Sequence, residues 1–516
     1  MKHLVVCSSF LADPPWRIMV DEAMSSVARK NDVSVVYCAG GCRVCGNNPS
    51  GSRLACGLCQ FYQKRYLKKL LPAATLIPIE RAAPQRTEDP HFHYDSLQDI
   101  KNIVYRGVNL GYGVLSSYIT WTRELIEDFT PAKRAYVDSL LREASRMVDR
   151  AYEVVDNVKP THISLYNGRM LEVRPFLDIA RIRSIEMCGN EIVLTQAENG
   201  DQVYRRIRYP NCLPHDVDEN ARIAERLWTM ENKILEEKRN IARGFYEKRR
   251  LGIPAGDAWN PGQSRTFIGG QSKGLMPEDW DAQKKNIVIF NSSEDEYSSI
   301  DPKFDSLSLF SSQIEGVSRI CDLLKDRDDY HVYLRVHPNL RKINFPYHTN
   351  LYALPQQFPN LTVLPATSKH STYDLMDAAD KVVVFGSTMG AEAAYWGKSV
   401  ILIAASLYSR LGFCRTPRTE SELLADLTDK PFGCPQNENI LKYGYYLVSR
   451  EYCSERTENL CVAFSRKSLL GHGYWVPTFP RLFGSWALTK FVRSKGINYL
   501  LQCLHMSRVP TKLYHD

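Results

Sequence analysis

KVVVFGSTMGAEAAYWGKSVILI, residues 381–403, reads as a β-branched strand, a Gly-Ser-Thr turn, a helix opening at Met389 and closed by Gly397, and a second strand from Ser399 to Ile403. Short apolar runs alternating with helical segments are the rhythm of a parallel sheet covered by helices. Upstream the same alternation continues through Asn286–Phe290 (NIVIF), a helix around Gln313–Leu324, Tyr330–Val336 (YHVYLRV), Leu361–Leu364 and a helix at Thr372–Ala379. The first half repeats it with His3–Cys7, a helix through Ile18–Lys30, Val33–Cys38, Ala74–Ile79 and Thr161–Tyr166. Before Thr161 a long helix from Pro131 to Asn157 carries Val137, Leu140, Leu141, Ala144, Met147 and Val148 at spacings of three and four.

The fold class expected is α/β, with two Rossmann-like doubly wound domains, a connecting helix and a helical C-terminal extension. The boundaries fall at 1–214, 215–285, 286–440 and 441–516. Within the second segment a charged helix has Ile223, Leu227, Ile234, Leu235 and Ile241 as its apolar stripe, and Gly252–Gly274 reads as a linker or loop. A cleft between the two domains is implied.

Composition agrees. The 516 residues, 44% hydrophobic and 24% charged, suffice for two to four domains at roughly 100–200 residues each. That excludes disordered, collagen-like and miniprotein classes. No stretch reaches the ~18 consecutive apolar residues of a membrane span, and near the N-terminus only Leu4–Val6 precedes polar Ser8 and Ser9, so a cytoplasmic location is expected. The formal charge of +8 suits an anionic substrate or an acidic membrane surface but gives no case for nucleic acid.

In open α/β sheets ligands bind beyond the carboxyl ends of the strands, and three second-half strands end in distinctive polar groups. Asn291-Ser292-Ser293-Glu294-Asp295-Glu296 follows Phe290, His337-Pro338-Asn339 follows Val336, and Gly386-Ser387-Thr388 follows Phe385. Ser387 and Thr388 at a helix start form an anion cradle or else simply cap the helix. Glu392, one turn on, can accept from vicinal hydroxyls. The proline after His337 restricts its backbone, aiming the ring at a phosphate or a leaving group, and Arg335 is a candidate phosphate partner. Ser292 and Ser293 are candidates for the same ligand, and Glu294 for a general base.

These residues resemble a family. YLRVHPNL (333–340) and DLMDAADKVVVFGSTMGAEAAYWGKSVI (374–401) look like the C-terminal half of the bacterial capsule-polysaccharide glycosyltransferases, and NGRMLEVRPFLDIAR (167–181), with Asn167, Gly168, Arg169 and Arg174, resembles a segment of the same proteins. The resemblance implies the two-domain GT-B architecture shared with nonhydrolysing nucleotide-sugar epimerases. It implies a nucleoside mono- or diphosphate sugar donor held by the second domain, with His337 on the donor phosphate and Ser387, Thr388 and Glu392 carried over to the cradle. A glycan or lipid-linked glycan acceptor would approach from the first domain, where Asp13 is the candidate base, with His91 and His93 as rivals.

Cys38, Cys42, Cys45, Cys56 and Cys59 form two Cys-x2-Cys pairs and a fifth thiol, a spacing that points to structural zinc, to an iron–sulfur cluster as the second choice, or to unligated thiols. Cys38 with Cys45, Cys56 and Cys59 resembles the family's arrangement. Lys64–Lys69 is basic with an interleaved tyrosine, a solvated helix face or a contact for phosphates or anionic lipid. Tyr474–Met506 mixes aromatic and basic residues, which suits either core packing or peripheral contact with the inner face of the plasma membrane. The function expected is glycosyl transfer in surface-polysaccharide assembly. The alternatives are a nucleotide-sugar epimerase, a polyol-phosphate transferase, or a noncatalytic metal-bearing scaffold of an export complex.

Overall fold

The computed structural model describes residues 1–8, 15–42, 44–45, 48–49, 51–80, 89–196, 202–253, 271–432, 437–450 and 454–456. They form two compact units, one built on strands β1–β6 and β12, the other running from residue 215 to residue 453 around β7–β11.

In the first unit β1 (Lys2–Cys7), β2 (Asp32–Ala39), β3 (Thr75–Glu80), β4 (His162–Tyr166), β5 (Glu186–Gln196), β6 (Gln202–Pro210) and β12 (Ser454–Arg456) lie in the order β12-β6-β5-β4-β1-β2-β3. β1 pairs in parallel with β2 and β4, and β12 antiparallel with β6. The central strand is buried on both faces, which is why Leu4, Val5, Val6 and Cys7 run without alternation. Helix α1 (Pro15–Ala28) lays Trp16, Met19, Val20 and Ala23 on Val5, Cys7, Val33 and Val35. After α2 (Arg53–Leu70), α3 (Leu97–Lys101) and α4 (Leu110–Thr122) comes α5 (Pro131–Val158), capped by the Thr130 hydroxyl on the Lys133 N–H. Lys159, at φ 51°, ends it in the left-handed region. α6 (Arg174–Ile182) is locked by a buried Arg174–Asp178 ion pair of 2.9 Å, and the Asn109 N–H donates to the same carboxylate at 2.9 Å.

At the amino end of this sheet a buried polar group joins four elements. His3 Nδ1 bonds Ser26 Oγ at 2.7 Å and its Nε2 bonds Ser164 Oγ at 2.8 Å, while Glu22 takes Arg206 at 2.9 Å and Arg208 at 2.7 Å. Burial lowers the His3 pKa to about 4 despite the neighbouring Glu22. Burial alone would raise the Glu22 carboxyl, but Arg206 and Arg208 more than offset it and hold it below its usual range. The unfolded chain therefore takes up a proton on His3 between pH 6.5 and about 4 that the folded chain refuses. Stability from this group is complete above pH 6.5 and falls by up to about 3 kcal/mol on acidification through that window. Melting temperatures across it should drop for the native chain, and His3→Gln should flatten the slope; an unchanged slope in the variant would assign the effect elsewhere.

In the second unit β7 (Lys285–Phe290), β8 (Tyr330–Arg335), β9 (Leu361–Leu364), β10 (Lys381–Val384) and β11 (Ser399–Leu402) form an all-parallel sheet in the order β11-β10-β7-β8-β9. Taken from its first strand this is the doubly wound 3-2-1-4-5 order, with the winding reversing between β7 and β10.

The segment 215–285 differs from the connector expected. α7 (Val217–Thr229) and α8 (Leu235–Arg250) are separate helices of the second unit, both packed on the helix Glu438–Ser449. The chain breaks between Met230 and Ile234, and Lys238 bridges the break. Its buried ammonium folds back onto the carbonyls of Leu227 at 3.2 Å, Trp228 at 2.7 Å and Met230, serving the open end of α7. The buried face of α8 is consequently Lys238, Ala242, Phe245 and Tyr246, while Ile234 and Leu235 of the expected stripe are exposed. Of the expected C-terminal extension, 441–449 belongs to the second unit; 457–516, with the Tyr474–Met506 stretch, lies outside the described residues. Among the described residues no helix is long and apolar enough to cross a membrane.

Candidate functional site

Register brings the three polar strand ends of the second unit level. Phe290 pairs with Arg335 on one side and Val384 on the other, so Asn291 leaves the sheet level with Val336 and Phe385, and His337 follows one residue on. Two hydrogen bonds join them: Asn291 Oδ1 accepts the His337 N–H at 2.7 Å, and Ser292 Oγ donates to the Phe385 carbonyl at 2.8 Å. Gln313, opening the helix Gln313–Leu323, adds its side-chain amide to Ser292 Oγ at 3.0 Å. The residues on this edge thus straddle the point where the winding reverses, the place such sheets offer ligands.

Among the described residues, Asn291 Nδ2 and Ser293 Oγ are buried with no hydrogen-bond partner, on residues 1% and 2% exposed. Native interiors rarely tolerate such atoms unless water or a ligand serves them. The turn beside them is shaped by Gly386, at φ +77°, where an added Cβ would come within 2.4 Å of the Ala405 carbonyl oxygen. Ser387 Oγ accepts the Met389 N–H only at a long 3.4 Å, and the exposed Thr388 makes no side-chain cap. Capping therefore leaves the Thr388 hydroxyl unaccounted for.

His337 Nδ1 accepts the Asn339 N–H at 3.2 Å. A neutral ring that accepts at Nδ1 carries its proton on Nε2, which makes the outer nitrogen a donor.

Other expected site residues have different engagements. The Arg335 guanidinium, 3% exposed, donates to the carbonyls of Pro365 at 2.6 Å and Ser368 at 3.1 Å; it braces the turn after β9 instead of presenting a free fork, and burial lowers its pKa to about 10. Glu392 is 1% exposed, and both its oxygens are taken, one by Arg249 Nε at 2.8 Å and the other by the Tyr373 hydroxyl. It is a buried anchor for α8, where an acceptor for ligand hydroxyls was expected. Glu294 Oε1 accepts the Gln313 N–H at 3.1 Å, as a side-chain cap on that helix. In the first unit Asp13 lies outside the described residues, and His91 and His93 are exposed.

The corresponding reversal in the first unit lies between β1 and β4. Here sequence reasoning missed Glu191, whose carboxylate accepts from the Tyr166 hydroxyl at 2.6 Å and from Asn167 Nδ2 at 3.0 Å. Asn167 at φ 58° and Gly168 at φ 95° turn the chain sharply there. The signal for Glu191 exists only in the register, which pairs Tyr166 with Asn190.

The metal expected of the cysteine cluster finds no support in the described residues. Among the described residues no group of three or more His, Cys, Asp or Glu side chains is arranged to hold an ion. Cys38, Cys42, Cys45, Cys56 and Cys59 form no disulfide among the described residues. Cys56 and Cys59 are wound into α2, where Cys59 belongs to the face on the sheet and Cys56 Sγ accepts from Gln60 at 3.2 Å. Burial raises Cys38 to about 11 and Cys42 well above the usual thiol range. The zinc and iron–sulfur expectations are withdrawn.

No family model and no curated protein matches the chain. Among solved structures it is similar to a Thermosulfurimonas dismutans KpsC β-Kdo 2,4 transferase at 13% identity, over 55% of this chain and 87% of that one, with a TM-score of 0.30. It is similar also to the glycosyltransferase of kitacinnamycin, at 13% identity over 86% and 94% with a TM-score of 0.22. The Neisseria meningitidis UDP-GlcNAc 2-epimerase aligns at 11% identity over 97% and 100% with a TM-score of 0.21. At these scores the likenesses fix neither family nor activity.

Proposed function

We propose that the protein is a GT-B-type glycosyltransferase whose second unit holds the nucleotide of a nucleoside mono- or diphosphate sugar at the β7/β10 reversal, for transfer to a glycan or lipid-linked glycan of a capsule or other surface polysaccharide. The observation that carries the reading is the pair of buried donors, Asn291 Nδ2 and Ser293 Oγ, unpartnered among the described residues at that reversal. The sequence resemblance of 333–340 and 374–401 supports the choice of a sugar nucleotide over other anions.

Departure of the nucleotide puts negative charge on its phosphate, and fixed donors facing that charge lower the barrier. Asn291 Nδ2, Ser293 Oγ, the Thr388 hydroxyl and His337 Nε2–H are the groups suited to it. With Nδ1 occupied by a backbone N–H, His337 serves as a neutral hydrogen-bond donor. Its role is to stabilise the leaving phosphate.

Thermal shifts with nucleoside mono- and diphosphates test the site, because a ligand at a hundred times its Kd stabilises by about 2.7 kcal/mol. The native chain should respond to one of them, and Asn291→Leu should lose the response. His337→Ala should lower kcat about 100-fold, the cost of one lost transition-state donor, with His337→Gln restoring part of it. No response to any nucleotide would refute the site. Turnover of a labelled nucleotide sugar without an acceptor would replace transfer with epimerisation.

A further inference from the structure

We propose that the outward face of α2 docks on an anionic lipid surface, with Leu54, Leu58 and Phe61 entering the headgroup boundary while Lys64, Arg65 and Lys68 meet lipid phosphates. The inward stripe of this helix is Ala55, Cys59, Gln63 and Leu67, and Gln63 Nε2 fixes it on the sheet through the Cys7 carbonyl at 2.8 Å. The opposite side carries a second stripe at helical spacing. Leu54, Leu58 and Phe61 are 68%, 36% and 57% exposed, and exposed Arg65 and Lys68 continue the line, with Lys64 beside them. Along its border Phe61 meets Tyr62 edge-on at 5.3 Å and Tyr62 stacks on Tyr66 at 6.3 Å. Such rings, apolar in body and polar at the tip, favour the boundary between lipid and water.

Stability of the fold explains little of this. Three large apolar side chains on the solvent side add nothing to the core. Arg53 sits in the first turn, where the helix dipole disfavours a cation; only Lys68 and Lys69 suit the last turn. The charge is also one-signed over a long stretch. From Val33 through Ile79 there is no Asp or Glu, against Arg43, Arg53, Lys64, Arg65, Lys68 and Lys69, although the chain as a whole is nearly balanced at 66 basic to 58 acidic residues. Among the described residues Arg53, Lys64, Arg65 and Lys68 form no ion pair. An acidic protein surface would answer the cations but not an apolar ridge in line with them; a bilayer carrying anionic headgroups answers both. The inference goes beyond the reading as a transferase and stands on α2 alone.

Flotation of the full chain with vesicles of phosphatidylcholine, alone or mixed with phosphatidylglycerol, is the test. Binding is expected only to the mixed vesicles, and it should weaken as salt is raised. Each cation near such a surface is worth about fivefold in affinity, so Lys64→Gln/Arg65→Gln/Lys68→Gln should lower binding roughly a hundredfold. Leu54→Ser/Leu58→Ser/Phe61→Ser should also weaken it while keeping the salt dependence. These side chains are exposed, so the melting temperature and any nucleotide-induced shift should be unchanged, which separates failure here from failure of the donor site. Absence of binding to mixed vesicles, or equal binding by the charge variant, would overturn the proposal. So would self-association in solution that Leu58→Ser/Phe61→Ser abolishes, since a second copy would then own the face.

Discussion

Glu392→Ala is expected to lower stability by about 3–5 kcal/mol, the usual cost of removing one partner from a buried ion pair. The carboxylate is 1% exposed and holds Arg249 and the Tyr373 hydroxyl together. Without it the Arg249 guanidinium, which Glu392 holds above its ordinary pKa, keeps its charge in a mostly buried place and loses the carboxylate that answers it. For a unit of this size the melting temperature should fall by roughly 10 °C. Because an apolar pair of similar volume often replaces a buried ion pair at little cost, Arg249→Met/Glu392→Leu should recover most of the loss. A variant that melts normally but no longer responds to nucleotides would return Glu392 to the ligand.

The second large effect is expected at Gly386. Alanine there must hold φ near +77° and place its Cβ 2.4 Å from a main-chain oxygen of Ala405, which has no side-chain freedom with which to move away. The turn must shift, taking with it the Phe385 carbonyl that Ser292 holds and the adjoining Ser387. Gly386→Ala should cost about 2–4 kcal/mol and abolish the nucleotide-induced thermal shift. Gly412 supplies the control. Its φ is +71°, yet nothing lies within 4 Å of an added Cβ, so Gly412→Ala should cost only the conformational strain of about 1 kcal/mol and leave the nucleotide response intact. Equal losses at both positions would show that strain, not the close approach to Ala405, governs.

The sheets were legible because their central strands are buried on both faces and so read as unbroken apolar runs: LVVC in β1, IVIF in β7 and VVV in β10. The strand ends of the second unit, and the polar residues that follow them, were legible too, since the position of a strand end is local information. What those side chains touch is not local. Arg335 and Glu392 looked available because Pro365, Ser368 and Arg249 come to them from remote parts of the chain. Lys238 reads as one more charge in a charged helix, yet from within α8 it serves the open carbonyls at the end of α7. The Cys-x2-Cys spacing suggested a metal, but winding Cys56 and Cys59 into a helix made Cys59 a core residue. Charge counts for the whole chain concealed the acid-free stretch around α2.

β12 carries a consequence for biosynthesis. It is a three-residue strand that pairs antiparallel with β6, although some two hundred and forty residues, including all of the second sheet, separate them in the chain. As the polypeptide leaves the ribosome, β6 emerges early and keeps a bare main-chain margin until Ser454–Arg456 is translated. Such a margin invites pairing with another nascent chain. Arg205 is fitted to hold the late arrival, donating to both the Ser454 hydroxyl at 2.7 Å and its carbonyl at 2.9 Å.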